Sequence, residues 1–385
     1  MDSIEVIQYI LLNIFLLFVF FLVGKNISKG GDYWRSAIWA ILFFVLIFGS
    51  RYGRGNDYFH YVDVYRLDLE ESQRLFTWFN HVLQFLGVGP HYFFFFYAIP
   101  FVTFSLVLLE PMKKYAIYLF PLYIVANSVF EEFIIRQALS YSFVFLFMYE
   151  LSLNTNRTLN FKIPYLLLYF LCSYSIHSAN GLIVLIFLAL FLFVKRPISI
   201  FITAPLFIFF SYVFPIFLDS SGIATIFEIL ASSGDEKFQG YNDNVDFWTN
   251  LDRDGAEQYI RTPLIRSLET FGNLSLIILG TKLFEEKVEL KKYLPFFYLY
   301  IIGTYIGKGF MTLEIFRRMG DVMMRIWFIP LALVLFYFPT LQLKSRCRFL
   351  YKILFVGLAF WIWDYFRYVF MKGNMILFMW NIDNY

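Results

Sequence analysis

The sequence predicts an all-α protein, a polytopic bundle of about twelve transmembrane helices, and three observations carry that prediction. First, 59% of the 385 residues are hydrophobic and 16% are charged, with a mean hydropathy of +0.62. A soluble domain averages about 45–50% apolar and about 25% charged residues, so one globular core could not hide this much apolar surface. Second, the apolar residues fall into runs close to the roughly 20 residues that a helix needs to cross about 30 Å of hydrocarbon. Third, lysine and arginine are divided unevenly between alternate connections, as the positive-inside rule requires of a multi-pass chain.

In chain order the candidate spans lie at 6–23, 36–50, 92–109, 115–130, 133–151, 162–176, 179–194, 198–218, 264–282, 293–309, 322–340 and 349–370. Asp2 and Glu5 precede the first run and Lys25 follows it, the wrong flanks for a cleaved signal peptide. It is read as a retained span with the N-terminus outside. The connections at 24–35, 110–114, 150–162, 195–197, 282–292 and 341–352 then hold 17 basic residues against six acidic ones, whereas the rest of the chain holds 15 against 23. The first set is therefore cytoplasmic and both termini extracytoplasmic. Two outward segments are long, 51–91 and 219–263, and the acidic, polar second one is expected to form a loop or small cap. The chain, 1–385, reads as a single membrane domain. Two cysteines exclude a disulfide framework or thiolate cage, and no basic stripe points to nucleic acid.

A charged side chain within the membrane is costly and usually faces a cavity or a partner. Arg51-Tyr52-Gly53-Arg54-Gly55-Asn56-Asp57-Tyr58 leaves the second span outward. Its glycines permit a sharp turn, and Asn56 or Asp57 can cap a following helix on which Tyr58, Tyr61 and Tyr65 share one face. Two arginines, a carboxylate and a tyrosine face suit an anionic, sugar-bearing ligand; an interfacial helix with an Arg51–Asp57 ion pair is the plainer alternative. Arg136 and Gln137 follow Glu131 and Glu132, and Arg136 either meets an anion or pairs with Glu132 at i, i+4. His177, in the turn Ser175 to Asn180, is a proton acceptor or a hydrogen-bonded turn residue. Arg317, Arg318 and Arg325 stand on the outward side against the charge rule, which fits an anion site or snorkelling stems. Arg261 and Arg266 are weaker candidates of the same kind. The topology puts all four groups on one membrane face.

Gly303 to Gly309 superficially matches a phosphate loop but is one residue short and lacks the final Ser/Thr; Gly303 and Gly307 read better as a helix-packing pair. The histidines His60, His81 and His91 lack metal-site spacing, so no metal and no cofactor are expected.

These residues carry a family likeness. Arg51 to Tyr61 resembles the R-[FY]-x-x-G-x-D-Y-x-x-Y segment of the EpsG-like membrane proteins, relatives of the Wzy O-antigen polymerases. Ile135-Arg136-Gln137-Ala138-Leu139 is similar to their I-R-Q-x-[IL]-A, and Ile176-His177-Ser178-Ala179 to their histidine-bearing turn. A late arginine ahead of a span containing Pro330 also matches, with Arg317, Arg318 and Arg325 all open as its counterpart. Leu69-Glu70-Glu71-Ser72-Gln73 stands where the family often has Glu-Pro-Gly. The resemblance implies polymerisation of polyprenyl-diphosphate-linked oligosaccharide units at the outer face of a bacterial inner membrane, with membrane lipids, a chain-length regulator and a flippase as partners. For that chemistry Arg51, Arg54, Arg136 and Arg317, Arg318 or Arg325 are expected to bind the diphosphate, with Arg136 catalytic, Gln137 also in the substrate site, Tyr58 and Tyr61 stacking on sugar, and Asp57 or His177 acting as base. A lipid-linked oligosaccharide flippase or other transporter, or an O-antigen ligase, are the competing readings; charges crowded at one membrane face weigh against a transporter.

Overall fold

The computed structural model describes residues 3–55, 57–69, 74–217, 228, 263–311, 313–341, 348–371 and 378–380. Nearly all of the loop expected at 219–263, with Arg261, lies outside them, as do Asn56, residues 70–73, and the side chains of Glu131, Glu132 and Arg266. The elements among the described residues are all helices, joined by short turns, with one isolated antiparallel bridge between Arg51 and Phe378.

Six described helical runs are long and apolar enough to cross a membrane: Ile4–Ser28, Phe93–Ser128, Leu159–Ile176, Ile200–Phe217, Phe316–Thr340 and Phe349–Phe366, with Tyr33–Gly49 and Ser178–Phe193 as shorter apolar helices. The chain is thus an all-helical, multi-pass membrane protein. The runs expected as separate spans at 92–109 and 115–130 are joined by a 3-10 turn, Glu110–Tyr115, because Pro111 can sit at a helix start without an N–H to satisfy. The segment 51–91, expected as a long outward connection, itself contains two helices.

The chain divides into two compact units, Met1–Leu192 with Trp361–Tyr385, and Phe193–Phe360. The first holds α1 (Ser3–Ser28), α2 (Tyr33–Gly49), α3 (Tyr58–Arg66), α4 (Arg74–Phe85), α5 (Phe93–Leu109), α6 (Ala116–Phe133), α7 (Ile135–Met148), α8 (Leu159–Ile176) and nearly all of α9 (Ser178–Phe193). Gly30 ends α1 at φ 96°, a conformation that favours glycine, and Asp32 caps α2 by accepting from the Arg35 N–H at 2.8 Å. Where neighbouring helices are equally apolar, hydroxyl cross-links select register: Tyr33 donates to the Leu106 carbonyl at 2.6 Å, Tyr123 to Ser105 at 3.0 Å, and Ser140 to the Ser173 carbonyl at 2.7 Å. Each such bond contributes about 0.6 kcal/mol in a membrane. The last part of the chain returns to α1, where Tyr365 bonds to the buried Asn13.

The second unit holds α10 (Ile200–Ile208), α11 (Phe214–Phe217), α12 (Pro263–Glu286), α13 (Leu294–Gly309), α14 (Glu314–Met324), α15 (Phe328–Tyr337) and the first half of α16 (Arg348–Met371). The Gly303/Gly307 pair does what its spacing predicts: α14 crosses α13 there through Gly320, whose missing Cβ would stand 2.3 Å from the Gly307 nitrogen. No side chain can yield at that point, since the obstacle is backbone. Gly320→Ala is expected to cost about 1–3 kcal/mol by forcing the crossing open, read as a lower unfolding midpoint of the purified protein; an unchanged midpoint would show that the crossing has slack.

Candidate functional site

The first unit brings three of the four predicted groups around one cluster of buried side chains. Tyr58, Tyr61 and Tyr65 on α3, Phe76 on α4, Phe93, Phe94 and Tyr97 on α5, Ile135 and Leu139 on α7 and Ile176 on α8 form a single core. The i, i+3, i+7 stripe of tyrosines therefore faces inward. Tyr58 stacks on Phe94 at 4.6 Å and Tyr61 lies 5.8 Å from Phe76. With 2% and 5% of their surfaces exposed, neither offers an open ring face.

Arg51 and Arg54 leave the end of α2 through a turn in which Gly53 and Gly55 take φ 67° and 103°. Both side chains are only 1% exposed, which is rare for a cation. The Arg51 guanidinium lies 4.4 Å from the Phe94 ring centre; that of Arg54 donates to the Ile47 carbonyl at 2.7 Å and lies 4.6 Å from the Phe378 ring centre. Phe378 is brought there by its bridge to Arg51 and by the Met379 N–H bonded to the Ser50 carbonyl at 3.0 Å. Aromatic faces thus flank both guanidiniums, with the Ile47 carbonyl completing the contact of Arg54.

Asp57 stands at the N-cap of α3, but its side chain makes no capping bond, and among the described residues no ion pair links it to Arg51 or Arg54. Tyr58 shares a 3.0 Å hydrogen bond with His91 Nδ1. Burial pushes the Tyr58 hydroxyl well above its ordinary value, although Arg51 pulls against it, and burial lowers His91.

The helical path breaks between α6 and α7 at Ile134, at φ −134° and ψ 63°. Arg136 and Gln137 sit in the first turn of α7, which has no side-chain cap. A helix N-terminus carries a partial positive charge and free N–H groups, so the break and the arginine attract the same kind of ligand. Arg136 is half-buried, its guanidinium 5.9 Å from the centre of Phe76, the ring that also meets Tyr61. Gln137 is buried, and its carbonyl accepts from Asn180 at 2.9 Å. Asn180 in turn donates its backbone N–H to the His177 carbonyl at 2.9 Å. The histidine turn is extended at His177, φ −157° and ψ 103°, and is half-buried.

Arg317, Arg318 and Arg325 belong to the second unit. At i, i+4 and i+8, Arg317, Asp321 and Arg325 share a face of α14 and its continuation, with Arg317 3.8 Å from Asp321; Arg318 points off that face and is exposed. Asp321 lies in the combined field of Arg317, Arg325, Lys308 and Glu269. Lys308 on α13 pairs with Glu269 on α12 at 2.5 Å, with side chains 16% and 8% exposed. One turn along, Tyr300 donates to the buried Asn273 at 2.7 Å.

Sequence reasoning missed Phe76, Phe94, His91, Phe378, Glu269 and Lys308. The spacing of Glu269 and Asn273 at i, i+4 opposite Tyr300, Thr304 and Lys308 at i, i+4, i+8 was a readable signal for the last pair. The aromatic residues carried none among 80 phenylalanines and tyrosines. Among the described residues no group of three or more His, Cys, Asp or Glu side chains is placed to hold a metal ion. The model of the EpsG family matches residues 34–376. No curated protein and no solved structure matches the chain.

Proposed function

The chain belongs to the EpsG family, and from that premise we propose that it polymerises polyprenyl-diphosphate-linked oligosaccharide repeat units at the outer face of a bacterial inner membrane. In this reading it does so from a bundle of about twelve spans, with both termini extracytoplasmic and with a flippase and a chain-length regulator as working partners. The observation that carries the reading is the meeting of three motifs, distant in sequence, on one aromatic core in the first unit.

In the reaction a sugar hydroxyl of one unit attacks C1 of the first sugar of another. The C1–O bond to the diphosphate breaks as the new glycosidic bond forms, and polyprenyl diphosphate leaves with the electron pair. Negative charge grows on the leaving oxygen, and fixed positive groups beside it lower the barrier. Arg136 with the uncapped start of α7 fits that role best, because it is half-buried at a helix N-terminus. Arg51 and Arg54, buried against Phe94 and Phe378, add positive potential at the same aromatic core. The hydroxyl proton goes to a base: Asp57 is favoured, since its carboxylate is not used to cap α3, with His177 as the other candidate. Tyr58 and Tyr61 serve as the support of the arginine turn rather than as open sugar platforms. Gln137 holds the histidine turn through Asn180. Arg317, Arg318 and Arg325, in the second unit, are proposed to bind an anionic substrate group, with Arg318 the exposed contact.

Deletion of the gene in a host carrying its polysaccharide locus tests this directly. The expected product is a single repeat unit attached to the acceptor, with polymer restored by the wild-type gene. Repeat units absent from the acceptor would indicate a ligase, and units trapped on the cytoplasmic side a flippase.

A further inference from the structure

A groove of about 620 Å³ runs between α1 and α2 at the end where Gly30 turns the chain. Its walls are two stripes in register. On α1, Val19, Leu22, Val23 and Asn26 follow i, i+3, i+4, i+7; on α2, Asp32, Arg35, Ser36 and Trp39 follow the same spacing in the opposite direction. The apolar members of both stripes lie deeper along the helices and the polar members lie together beside the turn. Both walls therefore change from hydrocarbon-like to polar over the same helical turn, as a lipid does between its acyl chains and its headgroup.

The polar end is built and cationic. Asn26 donates to Ser36 at 2.8 Å, and Ser36 donates to the Asp32 carbonyl at 2.7 Å. The Asp32 carboxylate accepts from the Arg35 N–H at 2.8 Å, which turns its charge toward the start of α2. Arg35 lines this end and is exposed, and the exposed Lys25 and Lys29 precede it on the same stretch of chain, so residues 25–35 carry three cations against the single carboxylate of Asp32. Trp39, 55% exposed, supplies an amphipathic ring at the level where membrane proteins place tryptophan.

We propose that this groove binds one phospholipid with a net negative headgroup, its phosphate met by Arg35 and its acyl chain laid along Val19, Leu22, Val23 and Trp39. The assignment rests on the chain being a membrane protein and not on its enzymology, so the two readings fail separately. It follows from charge complementarity: basic clusters beside membrane helices attract anionic headgroups, and arginine matches phosphate with two parallel donors.

The full-length protein in a neutral detergent, titrated with phosphatidylglycerol, phosphatidylcholine or glycerol 1-phosphate, gives the test. Phosphatidylglycerol is expected to raise the unfolding midpoint by about 3 °C at saturation, and the other two by less than half of that. Arg35→Glu should abolish the phosphatidylglycerol shift while leaving the lipid-free midpoint unchanged, because the side chain is exposed. Trp39→Ala should weaken the shift, and Lys113→Glu with Lys114→Glu, at a different turn, should preserve it. Equal shifts for phosphatidylcholine would overturn the proposal, as would an equal shift with glycerol 1-phosphate, a full shift in Arg35→Glu, or loss of the shift in the Lys113/Lys114 variant.

Discussion

Replacing Arg136 by Ala is expected to abolish long polymer, leaving the short products of a reaction slowed by about 10²–10³-fold. The protein itself should accumulate normally. The guanidinium is half-buried and lies 5.9 Å from the centre of the Phe76 ring, and a partly exposed cation–π contact contributes about 0.5–1 kcal/mol. The variant loses the fixed positive charge at the start of α7, and normalising polymer to membrane protein level separates that loss from any change in stability. Arg136→Lys separates charge from geometry. Lysine keeps the charge and can still sit over an aromatic face, but it offers a point charge on a flexible stem in place of a planar fork. Partial polymer, with chains shorter than wild type, is the expected outcome for Lys. Ladders of polysaccharide on gels, normalised to membrane protein level, read both variants. Wild-type ladders from Arg136→Ala at normal abundance would remove this arginine from the reaction and leave the broken helix without its proposed ligand.

The fold class was legible because composition and charge asymmetry are global properties that no local packing detail can reverse. Boundaries were less so. The long connection at 51–91 conceals α3 and α4, whose helicity rests on Phe76, Asn80 and Leu83 finding partners in the core, contacts that hydropathy does not report. At the site, the motif residues could be found from their types and spacing: two arginines in a glycine turn, a third at a helix start, a histidine in a tight turn. Their enclosure could not. Arg51 and Arg54 read as an outward pair suited to an anionic ligand until Phe94 and Phe378 close on them, and Phe378 lies more than 300 residues along the chain. The tyrosine stripe was identified with the correct periodicity, but periodicity gives a face and not the direction in which that face points. Only α4 and α5, packed against Tyr58 and Tyr61, decide that it points inward.

In the second unit the largest effect is expected at a pair of residues outside the segments that carry the family likeness. Lys308 and Glu269 meet at 2.5 Å between α13 and α12, almost wholly removed from solvent. Lys308→Met deletes the cation and leaves the carboxylate buried near Asp321, with which it shares the same field. A buried pair broken on one side costs about 3–5 kcal/mol, so the unfolding midpoint should fall by roughly 10 °C for a unit of this size. Loss of packing does not explain such a drop, because methionine retains most of the lysine stem. Glu269→Leu in the Lys308→Met background removes the stranded charge and should recover most of the lost stability, since well-packed apolar residues replace buried ion pairs at little net cost. The double variant being more stable than the single one is the diagnostic sign of a desolvated pair. If the single variant melts with the wild type, the pair is solvated in the native protein; if the double variant melts lower still, Glu269 is held by other partners, Arg317 and Arg325 first among them through Asp321, and the three helices share one charge network instead of a single bridge.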